Sequence, residues 1–310
     1  SLSILLLIIV NITITANTLI KARAFPSDAS LWPSRVVANT YILLDSSTRD
    51  FNSNLPTLII STQGRGIPAN VPPGGTRPRG SLVTLDTVRG RSALQGKVDF
   101  IGLGQFEITG QTSSGFPKPP YRIELNDELG NDLDAPLLGL PAESDWILRN
   151  PYSDKCLMND FLGYELWEDM GQYSCRRRFV EVFVDTGANK LSYPGDYLGV
   201  MVLFERIKIG SRRVDIARLT PGMTNEPAIT GGYIFKKDKD SEGDTWFTTS
   251  GGAGHSGHLL KFHDPKPKEI SLVQSNWIRN YVRQFEAAMY AANWTNATGT
   301  NHYSHYIDVD

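Results

Sequence analysis

One stretch limits the folds open to this chain more than any other: residues 116–171, FPKPPYRIELNDELGNDLDAPLLGLPAESDWILRNPYSDKCLMNDFLGYELWEDMG. Residues 121–125 alternate apolar and polar, the pattern of a strand with one buried face. Residues 126–130 carry turn chemistry, and residues 146–148 form a short apolar run that reads as buried. Ser153 or Asp154 then caps a helix that Gly171 ends, with Leu157, Phe161, Tyr164 and Leu166 facing inward. A long helix laid against antiparallel strands is an α+β arrangement.

The flanking sequence adds strands. Residues 179–185 and 197–205 are strong strands joined by a Gly/Asn/Pro loop, a hairpin of a central antiparallel sheet. By alternation Val180, Val182 and Val184 share one face of the first strand, and Phe179, Glu181, Phe183 and Asp185 the other. Upstream, residues 55–61, 81–86, 97–103 and 105–109 read as short strands around a Gly/Pro/Arg-rich loop at 64–80, which predicts a small sheet or sandwich in residues 51–110. Residues 25–50 read as a linker with an edge strand at 40–44. Downstream, residues 232–236 form a further strand, residues 238–257 a polar Gly-rich loop, and residues 276–290 an amphipathic helix with Ile278, Val282, Phe285 and Met289 on one side.

The 310 residues are 40% hydrophobic and 21% charged with a formal charge of −2. That composition is globular, and the absence of a basic field argues against nucleic acid or a polybasic membrane patch as partner. Residues 2–10 are almost wholly apolar, and the small-x-small site Ala22-Arg23-Ala24 follows. Together they read as an incomplete secretory signal peptide over residues 1–24; the apolar run is short for a spanning helix, and no stable membrane span is expected after its removal. Secretion follows from that reading. The alternative is an uncleaved anchor. Secretion would permit a disulfide, but a helix from 154 to 170 puts Cys156 and Cys175 roughly 20 Å or more apart at ~1.5 Å per residue, beyond the about 7 Å a bridge spans. Both thiols are expected unpaired. Sequons stand at Asn11, Asn293 and Asn296.

A polar loop at 110–115, Gly-Gln-Thr-Ser-Ser-Gly, precedes Lys118 at the mouth of the 121–125 strand. Hydroxyls and N–H groups of Ser113 and Ser114 with a Lys nearby suit phosphate oxygens. The bland alternative is an exposed Lys on a turn. Such a Lys needs a carboxylate partner, and Glu165, Glu181 and Glu205 are the candidates. Glu181, on a face with two Phe residues, reads as partly buried. Lys236 and Lys237 end a strand and flank a possible cleft. Gly251-Gly-Ala-Gly254 lacks the GK[ST] of a Walker loop, and His255, His258 and His263 fit no metal-ligand spacing.

The order of these segments resembles a known family, the CotH-type (spore-coat protein H) secreted kinases. It runs through a serine-containing turn, PK.PYRIEL, LLGLP.ESDWIL, a D-K-x-L-M helix, RFVEVFVD, GDYLGVMVLFERI and GGYIFKKD, over roughly residues 55–310. The resemblance implies an atypical kinase-like N-lobe of antiparallel sheet plus long helix, followed by the start of a C-lobe, with residues 111–310 as an incomplete CotH domain. It implies ATP γ-phosphate transfer to Ser or Thr of an extracellular or coat protein. Ser113, Ser114, Lys118, Glu205 and Lys236 would stand on the nucleotide side, with Glu165 or Glu181 as the lysine's partner. The family's Mg²⁺ or Mn²⁺ carboxylates lie in a downstream W-D-F-D-like motif that this sequence lacks. No catalytic residue is therefore expected here, the metal ligands are unknown and expected beyond Asp310, and the piece alone is expected inactive. A different class, a surface adhesin or pseudokinase scaffold, remains open.

Overall fold

The strand Arg177–Asp185 sets the architecture, because both of its faces are covered: Val180 and Val182 pack on one side and Phe183 on the other. A computed structural model describes residues 11–28, 30–72, 74–238, 246–252, 254–295 and 302–308. The apolar run at 2–10, Asn296 and Asp310 lie outside the described residues, as does part of the 238–257 loop. Two units are formed, Ser1–Arg206 and Ile207–Asp310.

Besides two short pairs, Asn52–Ser53 with Ser92–Ala93 and Ala135–Leu137 with Leu140–Glu143, the first unit has the strands β1 (Thr18–Ala22), β2 (Val37–Tyr41), β3 (Thr57–Ser61), β4 (Arg79–Leu85), β5 (Val98–Ile108), β6 (Tyr121–Asn126), β7 (Asp145–Arg149), β8 (Arg177–Asp185) and β9 (Tyr197–Glu205). The last seven close a barrel in the order β7-β9-β8-β3-β4-β5-β6, with β6 pairing back to β7. Every neighbour is antiparallel except β3 and β8, which run parallel with Thr57 opposite Glu181 and Ser61 opposite Asp185. Leu58, Leu82, Phe106, Ile123, Trp146 and Met201 belong to the large buried cluster of this barrel. Its small girth leaves room for side chains and little else. Gly80 on β4 is required by that tightness, since a Cβ there would lie 2.4 Å from the Ser61 carbonyl and 3.1 Å from the Phe106 ring.

The front strands therefore form no sandwich of their own. The β3–β4–β5 ladder has two edges, and each is consumed, one by β8 and the other by β6. A strand edge left open is a pairing liability, and closure removes it. The 179–185/197–205 hairpin forms as the alternation requires, and the expected edge strand at 40–44 lies at Val37–Tyr41, paired with Thr18–Ala22.

Helix α1 (Asn159–Asp169) is shorter than expected. The Asp154 carboxylate accepts from the N–H groups of Cys156 at 3.0 Å and Asn159 at 2.7 Å, and Leu157 has φ +60, so residues 154–158 make a turn in place of the first helical turn. Phe161 and Tyr164 do face the barrel. Phe161 stacks on Phe179 with ring centroids 4.6 Å apart, and Tyr164 lies 5.0 Å from the Phe204 ring. Leu166 does not face inward and is 63% exposed, because two residues past Tyr164 is a rotation of roughly 200° at ~100° per residue. Leu157 precedes the helix. No disulfide joins Cys156, which is exposed, to Cys175, which is buried under α1.

The second unit contains a three-stranded antiparallel sheet, β10 (Ile234–Lys236), β11 (Trp246–Thr248) and β12 (Leu259–Asp264), with β12 central. Helix α2 (Leu272–Met289) covers it through Ile278 and Val282, which meet Phe247 and Phe262. Ser271 and Gln274 form a reciprocal capping box at its start, which satisfies two otherwise orphan backbone donors. With α1 this makes two α-helices among the described residues of a strand-rich α+β chain, and neither is long and apolar enough to cross a membrane.

Trp146 is fully buried and its indole N–H donates to the Glu143 carbonyl at 2.9 Å. Trp146→Ala should cost about 3–5 kcal/mol from lost contacts and the cavity left behind. Denaturant unfolding followed by far-UV circular dichroism measures this, and a loss under about 1 kcal/mol would contradict the packed interior described above.

Candidate functional site

An irregularity in β9 builds one end of the barrel. Val182 pairs with Gly199 but Phe183 pairs with Tyr197, so Leu198 is an extra residue, a bulge. Gly199 sits at φ +100, a conformation that disfavours any side chain, and a Cβ there would stand 3.7 Å from the Lys118 Nζ. Beside this bulge the Lys118 ammonium donates to the Val200 carbonyl, and the Lys118 carbonyl accepts from the Asn150 amide. Lys118 is therefore a half-buried, anchored cation, not a loose lysine on a turn. Burial lowers its pKa, and the Glu181 carboxylate opposes part of that shift.

Glu181 is held from two sides. It is only 8% exposed. Its Oε1 accepts from the Ser53 hydroxyl at 2.7 Å and its Oε2 from the Tyr197 phenol at 2.6 Å. A buried carboxylate needs such donors to offset lost hydration. Burial first, then the bond to and the charge of Glu181, raise the Tyr197 pKa, so the phenol stays a donor at neutral pH. Tyr197 is fixed in turn by rings: Phe51, Phe183 and Tyr193 lie 5.2–5.6 Å from it, centroid to centroid.

The serine turn has its own geometry. Ser113–Gly115 is one 3-10 turn. Gly110 has φ +95, and a Cβ there would collide with the Ser113 Oγ at 2.2 Å, so glycine is required. The Ser114 hydroxyl donates to the Gln111 carbonyl at 3.2 Å, and Asn70 bridges from its amide to the Gly110 carbonyl at 3.1 Å and to the Ser114 Oγ at 3.4 Å. Phe116, between this turn and Lys118, packs on Tyr152 at 5.1 Å.

Of the three carboxylates considered for Lys118, Glu181 is the one whose charge acts on it, without an ion pair between them: the ammonium bonds the Val200 carbonyl and the carboxylate bonds Ser53 and Tyr197. Glu165 lies on α1 and bonds Arg177. Glu205 ends β9, where its buried carboxylate accepts from the Arg176 N–H at 3.0 Å and Nε at 2.8 Å. It stands five residues from Val200, roughly 17 Å along a strand. In the second unit, Lys236 ends β10 and pairs with Asp238 at 2.8 Å. The N–H groups of Ser250 and Gly251, at the start of the glycine run, already donate to the Glu286 carboxylate at 2.6 and 3.2 Å. His255 stacks on Tyr290, His258 meets Lys237 and His263 meets the Ile207 carbonyl. Among the described residues no group of three His, Cys, Asp or Glu side chains is placed to hold a metal ion.

Sequence reading missed Ser53, Tyr197 and the bulge. The glycine inside an otherwise apolar β9 is the signal for the bulge. Nothing local marks Ser53, which reaches Glu181 from 128 positions away.

Tyr197→Phe keeps the ring and removes the donor, so Glu181 loses one charge-assisted bond. The expected cost is about 1.5–3 kcal/mol in denaturant unfolding, and an unchanged midpoint would deny the bond its role. Lys118 has a folded pKa below its unfolded one. The unfolded chain then binds more protons between the two values, so this group's contribution to stability rises with pH through that window and is least below it. Lys118→Met should flatten that rise in melting temperatures collected between neutral pH and pH 10.

Residues 106–310, about two-thirds of the chain, match the family model for the CotH kinase protein. No curated protein matches the chain. The segment matched contains the serine turn, Lys118, Glu181 and the bulged strand, and the chain belongs to the CotH kinase family.

Proposed function

We propose that the bulged end of the barrel binds the phosphates of ATP in a secreted CotH-like kinase that phosphorylates Ser or Thr of extracellular or coat proteins. The observation that carries this is Lys118: a half-buried ammonium beside a carboxylate that two hydroxyls hold in place. A partly desolvated cation attracts an anion more strongly than one in bulk water, and the energetic cost of burying it makes sense when an anion arrives. Family membership supports kinase chemistry at the level of the family. The kinase-like N-lobe, the nucleotide and the substrate belong to this proposal.

The residues present fit a phosphate group. Lys118 would neutralise its oxygens, the Val200 carbonyl would hold the ammonium in place, the charge of Glu181 would favour its protonated form, and the turn at Ser113 and Ser114 would supply hydroxyls and N–H groups. Bound ATP supplies the phosphoryl group. Among the described residues no group of three His, Cys, Asp or Glu side chains is placed to hold Mg²⁺ or Mn²⁺. Glu205 is engaged by Arg176, and Lys236, in the second unit, by Asp238.

Lys118→Ala in the full-length protein removes one charge-assisted contact, typically worth roughly 1.5–3 kcal/mol. Nucleotide affinity should fall about tenfold or more, while the melting temperature holds or rises because a buried charge is gone. Calorimetric titration with ATP and Mn²⁺, alongside transfer to a Ser-rich peptide, measures both. Equal affinities in wild type and Lys118→Ala would remove Lys118 from the site. No ATP binding by the wild-type full-length protein would favour an adhesin or scaffold.

A further inference from the structure

Residues 2–10 read as the apolar core of a secretory leader, and three places after it put a small residue before a possible cut: Ala24 in the small-x-small Ala22-Arg23-Ala24, Ala22 at the end of β1 in Ile20-Lys21-Ala22, and Ala16 in Ile14-Thr15-Ala16. They differ in what the fold would lose. A cut after Ala22 or Ala24 deletes β1, which pairs along its whole length with β2, from Thr18 opposite Tyr41 to Ala22 opposite Val37. It also deletes Asn17, one of the most firmly installed polar residues of the unit. Asn17 is 3% exposed. Its amide donates to the Asp185 Oδ2 at 2.8 Å, its Oδ1 accepts from the Leu43 N–H at 2.8 Å, and its own N–H donates to the Asn189 carbonyl at 3.0 Å. Asp185, itself buried on β8, would lose one of three donors, the others being the Ser61 hydroxyl at 2.8 Å and the Gly187 N–H at 2.9 Å. A buried acceptor stripped of a donor is costly.

On the other side of Asn17 the tie to lose is a local one, the Thr18 hydroxyl donating to the Ala16 carbonyl at 2.7 Å. Residues 11–15 form no strand or helix; Asn11, Ile12, Thr13 and Thr15 are exposed, and full burial begins at Asn17. The spacing agrees. Ala16 stands six positions past the apolar run, roughly 20 Å of extended chain, against fourteen positions and roughly 48 Å for Ala24. Leader removal takes place just past the apolar core, after a small residue.

We propose that a signal peptidase cuts the Ala16–Asn17 bond, so that the mature protein begins at Asn17. Water adds its oxygen to the Ala16 carbonyl carbon and the C–N bond breaks. Ala16 leaves as a carboxylate with the leader, and the nitrogen takes up protons to become the Asn17 α-ammonium. That ammonium keeps a donor for the Asn189 carbonyl, and its charge is carried by the residue whose amide already holds Asp185. The Asn11 sequon departs with the leader. The proposal rests on the leader reading of residues 2–10 and is independent of ATP binding.

The test is N-terminal sequencing and intact mass of the protein secreted with its own leader. Asn17 as first residue is expected. A start at Arg23 or Phe25, or a retained leader, overturns the proposal. Ala16→Leu should abolish the Asn17 terminus and Ala24→Leu should leave it unchanged; the reverse pattern also overturns it. Asn17→Ala in the secreted protein should lower the melting temperature by about 2–4 °C or more, and an unchanged melt would remove the structural ground for placing the cut there.

Discussion

The parallel ladder between β3 and β8 is the constraint on which the first unit depends. Without it the seven strands are one open sheet, with the front strands at one end and the later hairpin at the other, two exposed edges at β3 and β8, and an apolar face to cover. With it the sheet closes, and the apolar residues of both parts become one interior. The same ladder sets the register of the site. Glu181 stands opposite Thr57, a short step from Ser53, and across the other edge of β8 it stands opposite Val200, whose carbonyl receives Lys118. The carboxylate is thus placed by closure and the lysine by the bulge beside it.

Polar residues at this end are arranged in layers. Aromatic rings fix Tyr197, Tyr197 and Ser53 fix Glu181, and Glu181 tempers the desolvation of Lys118. Each layer offsets a cost created by the next, which is how a buried polar group is tolerated. Elsewhere the charges are satisfied locally. Arg177 lies 4.8 Å from the Phe161 ring while bonding Glu165 and Glu168, which ties α1 to the barrel through cation–π contact and ion pairs as much as through apolar packing. Glu165 is structural in this geometry because its carboxylate bonds the Arg177 guanidinium, which lies over the Phe161 ring.

Strand identity was legible from alternation. Val180 and Val182 pack inward and Glu181 outward, as the period of two requires, and the partial burial of Glu181 follows from its Phe neighbours. The family was legible from motif order. What could not be read were pairings that no local pattern encodes: the parallel contact of β3 with β8, and the bond from Ser53 to Glu181. The start of α1 was misread for a definite reason. Asp154 is a good cap by type, but Leu157 at φ +60 turns the chain before the helix can begin, and a single side chain does not announce a left-handed backbone. Lys118 was recognised as a cation near serines, while its burial depended on a carbonyl 82 positions away.

The separation of β3 from its parallel partner also bears on how this chain is made. Ser61 meets Asp185 across 124 positions. At a synthesis rate of roughly 5–20 residues per second, β3 waits on the order of ten seconds with one edge unpaired, flanked by apolar residues later hidden in the interior. Distant pairings of this kind form slowly because the loop must close before any contact forms to offset it. Until β8 is made, a second nascent copy can add to that open edge, so the interval is the one in which copies of this chain are most exposed to pairing with one another, a liability that the finished barrel no longer carries.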